Sequence, residues 1–230
     1  MTTNNQNHPA MTSIDELRAG DVLLCYEDGE KDFVGNRITA VTGSEYTHAA
    51  ICIDSFNAAE AMFLGGVTKV KISDIIKRYD HIAVFRQPDA WCHDDRVEAI
   101  NLFIDSLVVS GAKYNVLGIK EFKEKRDNHI LNSYEKLTAF FNDPSSKTAG
   151  ENKKYFCSEL VADCFIVSGF IEPTAAVVYQ SDVTSPGALG RDPTYGTFYG
   201  YISGIPNYTV PRSDEFFNTT TYKEIFGLEE

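Results

Sequence analysis

The chain has 230 residues, of which 43% are apolar and 23% are charged, and its formal net charge at neutral pH is −12. This length and composition predict a globular protein that buries a sizeable core. The acidic balance argues against nucleic-acid binding, because phosphates are held by clusters of Lys and Arg. It also argues against docking on anionic membranes. Solubility alone is sufficient to explain the acidity.

The start of the chain is polar, reading MTTNNQNHPA. It shows neither the basic and apolar regions of a Sec signal peptide nor an apolar run of membrane-spanning length. We therefore expect a disordered tail over residues 1–12 and a single domain over residues 13–230. We also expect synthesis in the cytoplasm, so that action elsewhere would require a specialised export route.

The first half of the chain predicts strands rather than long helices. Short apolar runs separated by turn residues indicate strands over residues 22–26, 47–53, 58–64, 67–72 and 81–86. Residues 33–41 and 73–79 suit short helices. Sequence-adjacent strands joined by short turns favour an antiparallel sheet.

Helices dominate the middle of the chain. An apolar stripe after Asp94 predicts a helix that ends before Gly111. Residues 116–154 are highly charged and predict a helical insertion, either a solvated segment or a lid over a site. A further apolar helix begins near Cys157 and ends before Gly169, and the last 60 residues show weak periodicity. Together these elements predict an α+β fold.

Cys157 is the best candidate nucleophile among the five cysteines, which are odd in number, scattered, and arranged neither as a disulfide framework nor as a zinc site. It lies in the first turn of its helix, where the positive end of the helix dipole favours the thiolate. Lys153 and Lys154 act in the same direction. The alternative is a buried core cysteine, since free cysteines are often buried.

His48 and Glu60 are the candidate base and orienting acid. A hairpin centred on Asp54 would place Glu60 directly opposite His48 on the same face of the sheet. A carboxylate beside an imidazole fixes its tautomer and stabilises its charged form. A register slip of one residue would instead bring Ala59 or Ala61 opposite His48.

These residues carry a resemblance to a known family. The segments Thr47-His48-Ala49-Ala50-Ile51 and Tyr155-Phe156-Cys157-Ser158-Glu159-Leu160-Val161 resemble the histidine strand and cysteine helix of NlpC-type papain-like enzymes. The order His48, Glu60, Cys157 is that of the circularly permuted branch, which includes YiiX-like proteins and relatives of lecithin:retinol acyltransferase. Shorter matches begin at Gly20, Gly111 and Thr184. Residues 116–154 and the far C-terminus have no counterpart.

The resemblance implies a permuted papain-like fold and a cysteine peptidase or amidase with Cys157 as nucleophile, His48 as base and Glu60 as orienting residue. It implies no metal and no organic cofactor. The leading substrate is a stem or crosslink peptide of peptidoglycan. The alternatives are a thiol acyltransferase or lipid hydrolase, and a non-catalytic binding module on the same fold. A secreted antibacterial effector, paired with an immunity protein, would reconcile a wall substrate with the missing signal peptide.

Overall fold

The computed structural model describes residues 9–28, 42–88, 94–115, 118–142, 154–172, 175 and 179–228. Its centre is a six-stranded antiparallel sheet with strand order β4-β3-β2-β1-β5-β8. The strands are β1 (Val22–Tyr26), β2 (Tyr46–Cys52), β3 (Asn57–Met62), β4 (Gly66–Lys71), β5 (His81–Arg86) and β8 (Thr197–Ile202). Two further strands, β6 (Lys113–Tyr114) and β7 (Lys154–Tyr155), form a separate parallel pair.

Six helices accompany these strands in the described residues: α1 (Ile72–Ile76), α2 (Asp94–Ser110), α3 (Gly118–Asn142), α4 (Cys157–Val167), α5 (Pro186–Arg191) and α6 (Tyr222–Phe226). A 3-10 turn over Ile14–Glu16 precedes the sheet. None of these helices is both long and apolar enough to cross a membrane.

Both faces of the sheet are covered, which explains why its central strands are apolar without alternation. On one face, α2 and α4 pack against a core that includes Leu24, Ile51 and Ala59. On the other face, α1 and α6 cover a second core that includes Leu23, Ala50 and Ile82. Residues next to each other along a strand therefore belong to different cores, as the pleat of a strand requires.

The predicted α+β class is confirmed. The five predicted strands match β1 to β5 within two residues at each end, and the helices predicted after Asp94 and from Cys157 match α2 and α4. Gly111 has a left-handed backbone with φ of 67° directly after α2, as a helix-ending glycine does. The helix predicted over residues 33–41 lies outside the described residues. Residues 118–142 of the expected insertion form α3.

Residues 10–12 and 197–202 make backbone pairings that the sequence did not predict. Residues 1–8 of the predicted tail lie outside the described residues. The predicted disordered tail reaches residue 12, whereas Ala10 and Thr12 exchange backbone hydrogen bonds of 2.8 Å with Tyr201. The last 60 residues contain β8, an edge strand of the main sheet. Phe198 and Tyr199 point into opposite cores, so β8 is apolar on both faces and lacks the alternation that marks a strand in the sequence.

A buried hydrogen-bonded cluster around Asp214 ties the C-terminal segment to the sheet. His81 Nε2 lies 3.0 Å from Asp214 Oδ2, and both side chains are almost completely buried. Tyr46 donates a hydrogen bond of 2.9 Å to the same carboxylate oxygen, and Tyr201 donates to the other one. Although burial opposes ionisation, these donors hold the pKa of Asp214 below its ordinary value. The carboxylate thus joins β2, β5 and β8 to the segment after Val210.

Replacing Asp214 by Ala should lower the free energy of unfolding by about 3–5 kcal/mol, because His81 and two tyrosine hydroxyls would lose their buried partner. Urea unfolding followed by circular dichroism measures this change. Glu215→Ala is the matched control: its ion pair with Arg191 is partly exposed and should contribute no more than about 1 kcal/mol. Equal losses in the two variants would contradict a special role for the Asp214 cluster.

Candidate functional site

Cys157 is the first residue of α4, so its thiol lies at the start of that helix. The preceding residue, Phe156, has an extended backbone, and its N–H donates to Glu159 Oε2 at 3.0 Å, which closes the first turn. Amide groups at a helix start have no partners within the helix and carry partial positive charge. The side chain of Cys157 is therefore held where a negative charge is stabilised, although the residue is only 2% exposed.

A fork between β2 and β3 receives this thiol. The two strands pair from Cys52–Ala58 to Ala50–Glu60 and no further. Ile53 N–H donates to Asn57 O across the hairpin, and alternate amides of a strand point to the same neighbour. The N–H of Ala49 therefore points toward β3 but has no β3 partner beyond the last pair. It donates to the sulfur of Cys157 instead, as does the N–H of Ser158.

His48 and Glu60 lie together beside this fork. His48 Nε2 is 2.9 Å from Glu60 Oε2, and the two residues are 6% and 2% exposed. His48 also makes a hydrogen bond to Cys157. Since Nε2 already bonds to the carboxylate of Glu60, we assign this second bond to Nδ1. The structure thus brings the three residues singled out by the sequence into one connected group.

The expected hairpin register is wrong by two residues. Glu60 pairs with Ala50, not with His48. A shift of two residues keeps every side chain on the same face of the sheet. A shift of one would have placed Glu60 on the face opposite to His48. Glu60 reaches His48 diagonally, a distance that a long side chain can span. The cross-strand partner of His48 is Cys25 on β1.

Arg78 completes the group and has no signal in the sequence. Its Nη2 donates to both carboxylate oxygens of Glu60 at 2.7 Å. The residue lies in the loop between α1 and β5, so its arrival at Glu60 depends on how α1 packs on the sheet rather than on any residue spacing. The guanidinium fixes the carboxylate and balances its charge, which a buried acid requires.

Tyr79 orients the imidazole from the side. Its ring is parallel to that of His48 within 10°, with ring centroids 5.7 Å apart. An offset parallel arrangement of this kind restricts rotation of the imidazole and screens it from water. Burial raises the pKa of Tyr79 well above its ordinary value, so its hydroxyl remains neutral.

The electrostatics favour a thiolate and an imidazolium. Burial alone favours a neutral thiol, but the hydrogen bond and charge of His48, with the amides of Ala49 and Ser158, lower the pKa of Cys157. Burial likewise opposes the imidazolium, yet the bonds to Cys157 and Glu60 raise the pKa of His48 to about 9. The pKa of Glu60 is lowered against burial by His48 and Arg78. Each charge is thus stabilised by the next one.

The other described cysteines lack this environment. Cys25, Cys52 and Cys164 are buried, and burial raises their pKa well above the ordinary value for a thiol. Cys164, which is also on α4, belongs to the core, as its spacing from Cys157 predicts. Selective lowering of the pKa of one thiol is typical of a nucleophilic cysteine.

The polar side chains next to Cys157 bond to the backbone around the helix start rather than to the thiol. Ser158 donates from its hydroxyl to the carbonyl of Thr184 at 2.6 Å. Glu159 caps the helix, and burial, together with the nearby Asp163 and Asp182, raises its pKa to about 8. A neutral Glu159 at neutral pH places no opposing charge beside the thiolate.

Several tyrosines lie in or near the site, and they differ in what their rings contact. Tyr114 on β6 packs edge-to-face against Phe156, with ring centroids 6.1 Å apart. Tyr155 is fully buried against Phe103. Tyr26 stacks on His81, with ring centroids 4.4 Å apart. Unlike these two, Tyr114 and Tyr79 each interact electrostatically with Cys157.

Comparison with known proteins supports a relationship to peptidases. No family model matches the chain. The chain is 30% identical, over 164 residues, to the protein of Escherichia coli (strain K12) named "Probable lipoprotein peptidase YaeF". The aligned region covers 67% of this chain and 57% of that relative, so the chain spans little more than half of the relative's length. By sequence, the chain is therefore similar to a peptidase.

Proposed function

We propose that this protein is a cysteine hydrolase that cleaves an amide bond through a thioester intermediate. The single observation that carries the proposal is the buried, hydrogen-bonded connection of Cys157, His48 and Glu60, with the thiol at a helix start. A nucleophile, a base in contact with it and a third group that orients the base are the parts that covalent hydrolysis needs. Similarity to a peptidase points the same way.

The mechanism follows from the positions of these groups. The Cys157 thiolate attacks the carbonyl carbon of the substrate, and amide N–H groups in the first turn of α4 stabilise the resulting oxyanion. The His48 imidazolium then gives its proton to the leaving amine, and a thioester to Cys157 remains. A water molecule, deprotonated by His48, attacks the thioester and releases the acid, which restores the thiolate and imidazolium. Glu60 holds His48 in one tautomer throughout.

The substrate that we propose is a peptide, with the stem and crosslink peptides of bacterial peptidoglycan as the first members to test. The resemblance to NlpC-type enzymes and the similarity to a peptidase both support an amide bond. The same thioester could pass its acyl group to another acceptor, which would make the protein a thiol acyltransferase, or arise from a lipid ester.

Purified protein incubated with peptidoglycan and its soluble stem peptides should yield new fragments that mass spectrometry identifies. Cys157→Ala should lower the rate by at least about 10³-fold, because the covalent route is lost. Cys164→Ala, a substitution on the same helix but in the core, is the matched control and should remain active. Fragments from the Cys157→Ala variant would sink the proposed chemistry.

The pH dependence of alkylation tests the ion pair directly. Iodoacetamide should modify Cys157 selectively, and the midpoint of its rate should lie below the ordinary thiol value of 9.0 because only the thiolate reacts. In His48→Ala the midpoint should rise, since the hydrogen bond and charge of His48 no longer oppose the effect of burial. Mass spectrometry of the peptide containing Cys157 measures both. An unchanged midpoint in His48→Ala would contradict the pairing.

Hydrolysis should depend on pH differently from alkylation. The rate kcat/KM should rise as Cys157 ionises and fall near pH 9, where His48 loses the proton that it must give to the leaving group. Alkylation needs no such proton and should show no fall in that range. A hydrolysis profile that keeps rising beyond pH 10 would show that His48 is not the proton donor.

Arg78→Gln tests whether the guanidinium positions Glu60, the acid that orients His48. The substitution removes a charged donor from Glu60, and kcat should fall by about tenfold or more. The alkaline limb of the pH profile should move to lower pH, because Glu60 is then held less firmly beside the imidazolium. Lys77→Ala is the matched control, since Lys77 pairs with the exposed Asp74 and not with Glu60 among the described residues. A drop in stability with an unchanged profile would indicate a structural role alone.

The site of action is a separate part of the proposal. A protein that cleaves the cell wall harms a bacterium only from the periplasm, and a toxin of this kind would be matched by an immunity protein that covers Cys157. Expression in a bacterial host with and without an added periplasmic signal sequence tests this, with Cys157→Ala as control. Lysis only with the signal supports the effector role, and equal harmlessness rejects it.

A further inference from the structure

Strands β2 and β3 separate next to the thiol, and both strands reach the surface there. Their last pair is Ala50–Glu60, and the same register would place Met62 of β3 across from His48 of β2. Thr47 is partly exposed while the rest of β2 is buried, and Met62 is partly exposed while the two residues before it are buried. We call Thr47 and Met62 the mouth of the fork. The fork therefore meets solvent at its mouth, whereas its closed end is buried.

A bulge explains why the strands separate. Between Cys25 and Tyr26 of β1 the pairing with β2 skips Thr47, which is the extra residue of the bulge. A bulge bends the strand that carries it. Strand β3 pairs with β4 along its whole length without a shift of register. Strand β2 thus bends while β3 is held straight by its other neighbour, and the mouth of the fork stays open.

The side chain of Met62 belongs to the His48 side of the sheet. Along β3, Ala61 points into the core beneath α4, so Met62 points to the other face, as Glu60 does. Glu60 meets His48 on that face. The amides at the start of α4 approach the thiol from the first face. A substrate carbonyl at Cys157 that directs its oxygen toward α4 therefore directs its leaving atom toward His48 and Met62.

We infer that the substrate reaches Cys157 through the mouth of the fork and that Met62 is a specificity-determining residue that contacts the leaving half. The inference rests on the proposed hydrolase function, in which His48 gives its proton to the leaving atom. A methionine side chain is flexible and apolar, and its sulfur is only a weak hydrogen-bond acceptor. The leaving half that fits this contact carries an apolar group next to the bond that is cleaved.

Closing the mouth of the fork tests the route to the thiol. In Met62→Trp, the rate at which iodoacetamide modifies Cys157 should fall by about tenfold or more, because the larger side chain overfills the mouth. The pH midpoint of alkylation should keep its wild-type value, since the groups that lower the pKa of the thiol are unchanged. A general disturbance of the site would move the midpoint as well. Met62→Leu, which has a similar volume, should keep the wild-type rate.

Phe56→Trp is the matched control for this substitution. Phe56 is 75% exposed in the connection between β2 and β3, at the end of the hairpin away from the mouth, and neither the rate nor the midpoint should change. Met62→Ala needs no added bulk and should accelerate modification by the larger N-phenylmaleimide more than modification by iodoacetamide. Alkylation of Met62→Trp at the wild-type rate, or no selective gain in Met62→Ala, would overturn the route. Circular dichroism checks the fold of each variant.

Two esters with the same acyl group test the contact with the leaving half. N-acetylalanine methyl ester and N-acetylalanine 4-methylumbelliferyl ester form the same thioester but release a small and a large leaving group. In Met62→Ala, kcat/KM should fall by about tenfold for the umbelliferyl ester and by no more than about twofold for the methyl ester, because methanol presents little apolar surface to Met62. Equal falls for the two esters would reject the contact with the leaving half.

The inference and the proposed function fail differently. If wild type hydrolyses neither ester and no stem peptide, the hydrolase function is wrong, whatever the variants of Met62 show. If wild type cleaves peptides but not esters, Leu against Gly in the leaving position makes the same comparison. If wild type is active and the Met62 variants show neither the change in alkylation nor the dependence on the leaving half, the function stands and the inference is wrong.

Discussion

The site depends on the point at which β2 and β3 stop pairing. Where two strands are paired, each backbone amide between them donates to the partner strand, so no side chain can take its place as acceptor. Beyond Ala50 and Glu60 the pairing ends, and the amide of Ala49 is left to a new partner. The sulfur of Cys157 takes that place, so a hydrogen bond that belonged to the sheet becomes one that stabilises a thiolate. Helix α4 and the sheet are joined at that atom.

Charges of alternating sign extend from this atom to the surface. They run from the Cys157 thiolate to the His48 imidazolium, then to Glu60, and end at the partly exposed Arg78. Buried charges are unfavourable singly, and a linear series satisfies each from both sides while only its last member contacts water. The order also explains why the pKa values of Cys157, His48 and Glu60 shift toward the charged forms although burial opposes each of these charges.

The sequence revealed those parts of the site that depend on local rules. A cysteine at a helix start and an acid on the same hairpin face as a histidine are local features, so Cys157, His48 and Glu60 could be named. The predicted register was wrong by two residues, but a shift of two leaves each side chain on the same face of the sheet. Arg78 and β8 could not be predicted, because the loop after α1 and an edge strand apolar on both faces are placed by packing between distant segments.

The partners of the Cys157 thiol lie on opposite faces of the sheet, so the state of the thiol depends on folding. Helix α4 lies over one face, while His48 and Glu60 alternate with residues that point into that core and so belong to the other side. Neither half of the chain can assemble the site alone. Before these halves have docked, Cys157 lacks the partners that lower its pKa. The pKa of this thiol is therefore lowered only when α4 has docked against β2, so that one docking event both completes the core and sets the state of the thiol.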